Sequence, residues 1–504
     1  MGQKYAGWRK PESTGLIPGL NFFTSVLAVV ALLIAIGLWF FLGSPLLAII
    51  TLVLATILIA PTMWRIKGNT AGELLLAYLR TIPIRRKEAT LYRTGLFTHL
   101  PGGRVALPGY GSPITLTDAF EPVTGEDVGA LVNLVEHTVT VILIVKSHDQ
   151  ESVIESVRDG RVAGWGNFLK IICGHGDIAG VMVVSETTPE TGAGYRAHIR
   201  SRRSEHAPAL AAELLDDAVD NLEIDTLKLS QRIAITFRYN AGGFAEGVAS
   251  VSQRLPSFRD AIIRAGLGAD WATGDDIIAF VKSAYNPAAQ PLIEEQMAAP
   301  LLDEHGEPTG ESGRIGLQWK DAGPTFHDDA NPGYYLHDSA RSMTHRCYEF
   351  PVEPVEDTVL ADVLRPNPRS PYKRTTLVYR PHSPADAKRL ADNDWRDSFA
   401  ATQRRTRGLV DAKQLMRHDD NTATREDLAE GHGLVDVGML VTITVGFDAT
   451  GADALRAQAD AGLTSSLLFG PCWTDQAATF LAALGIGVYA DMVDTEGGRN
   501  ELGS

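Results

Sequence analysis

The side chains best equipped for chemistry in this sequence are histidines beside acids or a thiol: His175 with Asp177, His327-Asp328-Asp329, His337-Asp338, His345 with Cys347, and His418-Asp419-Asp420. Such groups could move protons or hold a metal. His337, His345 and Cys347 come nearest to a ligand set, because zinc wants at least three convergent N or S ligands and alternation along a strand puts His345 and Cys347 on one face. Stronger signatures are missing. The sequence has no G-x-x-x-x-G-K-[ST] phosphate loop, no G-x-S-x-G elbow, no H-E-x-x-H and no C-x-x-C pair. His-Asp pairs in acidic loops follow from composition alone, so the sequence assigns no catalytic residue, no metal and no cofactor.

The elements that would position these residues begin with an apolar stretch. Between Ser13 and Trp64 there is no Asp, Glu, Lys or Arg. Two apolar runs lie within it, about 22–42 and 45–64, separated by Gly43, Ser44 and Pro45, which form turns readily. Each run is near the roughly 20 residues needed to cross a bilayer, so the expectation is a two-helix transmembrane hairpin. Tyr5, Trp8, Arg9 and Lys10 on one flank and Trp64, Arg65, Lys67, Arg85, Arg86 and Lys87 on the other would sit at the membrane interface. Positive flanks stay inside, which predicts a two-span plasma-membrane protein with both termini cytoplasmic.

Charge divides the chain of 504 residues. Residues 1–93 carry ten Lys and Arg against Glu12, Glu73 and Glu88, or +7, which leaves −22 of the total −15 for the rest. The basic collar suits anionic lipid headgroups, and the acidic remainder argues against binding a nucleic-acid backbone. Cys173, Cys347 and Cys472 are odd in number and widely spaced, which fits reduced thiols rather than a disulfide framework.

Beyond the collar the pattern is α+β. A β-branched run at Thr138–Val145, helical spacing over 149–172, an apolar run from Ile178 into Pro189, an amphipathic stretch at 207–221 and a further run at 227–239 give a β-α-β-α-β order. Helices are expected at 257–265 and at 274–284, the latter stopping at Tyr285-Asn286-Pro287. Strands at 374–379, 435–445 and 465–469, with helices over 384–417, 452–461 and 474–484, repeat the order. The expected fold is two split-βαβ, ferredoxin-like units behind the anchor. Its expected divisions are an anchor at 1–93, a first unit at 94–290, an irregular connector at 291–335 and a second unit at 336–504.

Several short segments together resemble one family. They are Tyr5-Ala6-Gly7-Trp8-Arg9, Ser185-Glu186-Thr187-Thr188-Pro189, Ala284-Tyr285-Asn286-Pro287, Asp321-Ala322-Gly323-Pro324 and the closing Gly470-Pro471-Cys472-Trp473-Thr474-Asp475-Gln476. The family is that of actinobacterial membrane proteins encoded in conjugative elements beside a type IV secretion ATPase, similar in plan to EccE of type VII secretion. The second unit, through Leu484-Gly485-Ile486-Gly487, also resembles the non-catalytic N-terminal domain of that ATPase. Two positions depart from the family pattern: Asn286 stands where Asp is usual, and Ala483-Leu484 where Leu-Pro is usual.

The resemblance implies a non-enzymatic, membrane-anchored docking component of a conjugative or type IV-like secretion apparatus. Its partners would be the secretion ATPase and other membrane components, with oligomerisation inside the assembly possible. Trp473, Asp475 and Gln476 are the candidate interaction residues, because an aromatic beside a helix start makes a favoured interface anchor. The rival expectation is a membrane-tethered enzyme using the His, Asp and Cys residues of 327–347.

Overall fold

The computed structural model describes residues 22–43, 45–63, 106–146, 155–201, 208–220, 226–239, 243–302, 308–351, 355–403, 412–447 and 467–489, apart from 313 and 369, with a few shorter pieces between. Among these the dominant element is a single antiparallel sheet of thirteen described strands. Eight of them form its centre. In the first half these are β1 (Thr138–Lys146), β2 (Ile178–Pro189), β3 (Leu227–Arg238) and β4 (Gly268–Trp271). In the second they are β5 (Ala340–Glu349), β6 (Tyr372–Pro381), β7 (Val435–Gly446) and β8 (Leu468–Pro471).

Each half has the same pairing. β4 lies beside β1, β1 beside β3 and β3 beside β2; likewise β8 lies beside β5, β5 beside β7 and β7 beside β6. This is the order 4-1-3-2 of a split βαβ arrangement. The two equivalent second strands, β2 and β6, then pair antiparallel from Lys373↔Thr187 to Tyr379↔Val181. An antiparallel pair of equivalent strands is what an approximate two-fold between the halves produces, so the units share one sheet. Both halves also insert a helix pair between their second and third strands: Ala193–Ser201 with Ala209–Asp220, and Pro384–Gln403 with Ala412–Ala429.

Alternation sorts the central strands between two cores. Val141, Leu143, Ile233, Ile235 and Phe237 point to the face covered by the helices Glu155–Gly174 and Phe244–Arg264. Ile142, Met182, Ala234, Val378 and Leu440 point to the other, under Gly274–Tyr285 and Gln476–Ala483. The Gly274–Tyr285 helix is started by a reciprocal cap, in which Asp276 N–H donates to Thr273 Oγ1 at 3.2 Å and Thr273 N–H donates to Asp276 Oδ2 at 2.9 Å. Pro287, which lacks an N–H, follows its end.

The membrane anchor is corrected. Helices do occupy Phe22–Leu42 and Pro45–Met63, and Gly43 between them takes a φ of 59°. Among the described residues, however, no helix is long and apolar enough to cross a membrane. This overturns the expected transmembrane hairpin, the two-span plasma-membrane location and the cytoplasmic placement of the termini. Of the interface residues expected beside it, Trp8, Arg9, Lys10, Trp64, Lys67, Arg85, Arg86 and Lys87 lie outside the described residues. Tyr5 belongs to a short strand paired with Val355, and Arg65 to one paired with Thr70.

Smaller differences have local causes. The helix expected at 257–265 runs over Phe244–Arg264, because Pro256 is accommodated inside it instead of opening it. The stretch 384–417 is two helices, the second reaching Ala429. The connector 291–335 holds a helix at Gln290–Ala298 and short strands at Pro300–Leu302, Pro308–Ser312 and Phe326–Asp328. The helix expected at 452–461 lies outside the described residues.

Candidate functional site

The histidine and cysteine candidates do not converge. His337 is fully buried. Its Nδ1 lies 2.6 Å from the Tyr285 carbonyl and its Nε2 lies 2.7 Å from Ser342 Oγ. A carbonyl can only accept, so Nδ1 carries the proton and Nε2 accepts from the Ser342 hydroxyl. Ser342 Oγ in turn sits 2.7 Å from Thr444 Oγ1. Burial pushes His337 down to about 4, which keeps the ring neutral at ordinary pH. Ring contacts with Tyr285, Tyr335 and Phe480 complete a packed core position.

His345 and Cys347 share a face, but alternation along β5 puts it opposite the one on which Ser342 meets His337. Cys347 packs into a separate cluster with Leu377, Met439 and Ile443. His327 pairs directly across from His337, is largely buried and is also pushed down to about 4 by burial. Elsewhere, Asp177 is engaged by Arg254 and His418 lies 3.1 Å from Ser398 Oγ.

Trp473, Asp475 and Gln476 divide by exposure. The turn that carries them is held by backbone bonds, Cys472 N–H to the Thr344 carbonyl at 3.0 Å and Thr474 N–H to the Pro332 carbonyl at 2.9 Å. Thr474 takes a left-handed φ of 71°. Gln476 is buried and structural: its Oε1 accepts from Thr344 N–H at 2.7 Å, and its Nε2 donates to the carbonyls of Thr344 and Cys472. Trp473 is 38% exposed and Asp475 is also exposed. The inward side of the turn is thus consumed by the sheet and the outward side presents an indole beside a carboxylate.

A site that the sequence did not single out lies at the seam between the halves. Arg374 on β6 stands across from Glu186 on β2, and Arg232 on the neighbouring β3 faces the same way. Glu186 Oε1 accepts from Arg374 Nε at 2.9 Å, and Oε2 accepts from Arg232 Nη2 at 2.7 Å. Burial alone would raise the Glu186 carboxyl, but the charges and hydrogen bonds of Arg374 and Arg232 outweigh it and hold the group at about 2. The Arg232 guanidinium also lies 4.2 Å over the Phe280 ring. Lys373, buried next to Arg374, is lowered by burial to about 8, and its Nζ donates to the Arg365 carbonyl.

Above this cluster is a cavity of about 250 Å³ between the sheet and the helices Gly274–Tyr285 and Gln290–Ala298. The available signal was one ionic residue at a core-facing position in each of three apolar strands. Such a residue is nearly always paired.

Comparison with known protein families and with curated proteins finds no match for this chain.

Proposed function

We propose that the chain is a non-enzymatic docking component of a conjugative or type IV-like secretion apparatus, which offers its α+β domain to a partner ATPase. The reading comes from the segments that resemble that family. The observation that carries it is the 472–476 turn. Its backbone and Gln476 are fixed to β5, while Trp473 and Asp475 are left outward. A rigid aromatic loses little freedom on binding, which is the property of interface hot spots. The acidic balance of residues 94–504 suits a basic face on the partner and would speed encounter at low salt.

The enzymatic alternative has less support, since both ring nitrogens of His337 are engaged in the core and His345 with Cys347 lies on the other face. Co-purification of the full chain with a type IV-like secretion ATPase from the same genome tests the proposal. Retention of the pair through a salt wash supports it, and independent elution of the two proteins at low salt removes it.

A further inference from the structure

We infer that the cavity over Arg232, Glu186 and Arg374 is a binding site for a small organic oxyanion, a carboxylate or phosphoryl group carried on a short apolar body. Charge is the first ground. Two guanidinium groups share one carboxylate where all three residues are at least nine-tenths buried, at 5%, 4% and 9% exposure for Arg232, Arg374 and Glu186. An uncompensated buried charge is strongly unfavourable, and a bound anion would balance it.

The donors supply the second ground. Both Glu186 oxygens are already taken, and Arg232, Arg374 and Lys228 all line the cavity. Guanidinium N–H groups are the donors best matched to carboxylate and phosphate oxygens.

Shape supplies the third. Apolar walls come from Ile144, Phe280, Ile293 and Met297, and Lys228 stands exposed among the lining residues. The two other acids lining the cavity are engaged: Glu294 accepts from Lys228 at 3.1 Å and from Gln290 at 3.2 Å, and Asp276 caps its helix. The volume is below that of sites for drug-sized ligands, which restricts the body to about the size of a single ring.

Isothermal titration of the full chain with benzoate and with inorganic phosphate, against chloride at matched ionic strength, tests this inference independently of the docking reading. One site per chain with sub-millimolar affinity is expected for at least one of them, and which one binds identifies the carboxylate or the phosphoryl source. Ser283→Met fills the cavity from the helix without touching the ion cluster and should weaken binding about tenfold or more. Lys228→Glu, at the exposed lysine, should weaken it about threefold or more and serves if the first variant does not fold. No heat beyond chloride with either anion overturns the site. So does unchanged affinity in a folded variant.

Discussion

Glu186 and Arg374 face each other across the β2–β6 seam, and the Arg374 Nε–H donates to the Glu186 carboxylate at 2.9 Å. They belong to equivalent strands of the two halves, so the ion cluster adds a side-chain link to the backbone pairing that joins one half to the other. Arg232 adds a third strand to the same carboxylate at 2.7 Å. Replacing the acid would leave two guanidinium groups facing each other inside the protein.

Glu186→Gln is therefore expected to cost about 3–5 kcal/mol, the range for removing one partner of a buried ion pair. Urea denaturation of the full chain measures it. A loss below about 1 kcal/mol would mean that the cluster is hydrated and does not tie the halves together.

The pH dependence has two windows. His337 and His327, pushed down to about 4, take up protons in the unfolded chain below about 6.5 but not in the folded one. Their contribution is complete above about 6.5 and is lost as the pH falls to 4. Glu186, held at about 2, binds fewer protons folded than unfolded below about 4.5, so its contribution is lost as the pH falls from there towards 2. The melting temperature should fall continuously from pH 7 to pH 3. A flat profile between pH 7 and pH 5 would contradict the neutral, buried state of the two histidines.

How much of this was readable in the sequence depends on what each element is made of. β1, β2, β3 and β7 were legible because their apolar runs are long and rich in β-branched residues. The first half of the Phe244–Arg264 helix is hidden in the sequence, because Pro256 looks like a start and the turns before it are Gly-, Ala- and Ser-rich. The joining of the halves was not legible, since edge-to-edge pairing of β2 with β6 depends on contacts nearly 190 residues apart in the chain. The ion cluster was missed for the same reason: Glu186, Arg232 and Arg374 are isolated charges until the sheet places them side by side. His337 and His345 are close in sequence, but the strand that separates them turns them apart: Ser342 meets His337 on one face of β5 and alternation puts His345 on the other.

Gly487 lies where only glycine fits. Its φ is 81°, and an added Cβ would stand 2.0 Å from Thr140 Oγ1 on β1. Gly487→Ala combines a left-handed backbone with a clash against the sheet, each costing roughly 1–3 kcal/mol. A drop of at least about 2 kcal/mol in urea denaturation is expected. A neutral result would mean that the 484–489 segment is not packed on β1 as described.

The docking account is tested most directly by the affinity of the full chain for the secretion ATPase, measured for the native chain and for Trp473→Ala. Trp473 is partly exposed on a turn whose backbone bonds do not involve the indole, so the variant should melt within about 2 °C of the native chain. It should bind about thirtyfold more weakly, the equivalent of about 2 kcal/mol. Equal binding by the two proteins, or no measurable binding by the native chain, would contradict the account.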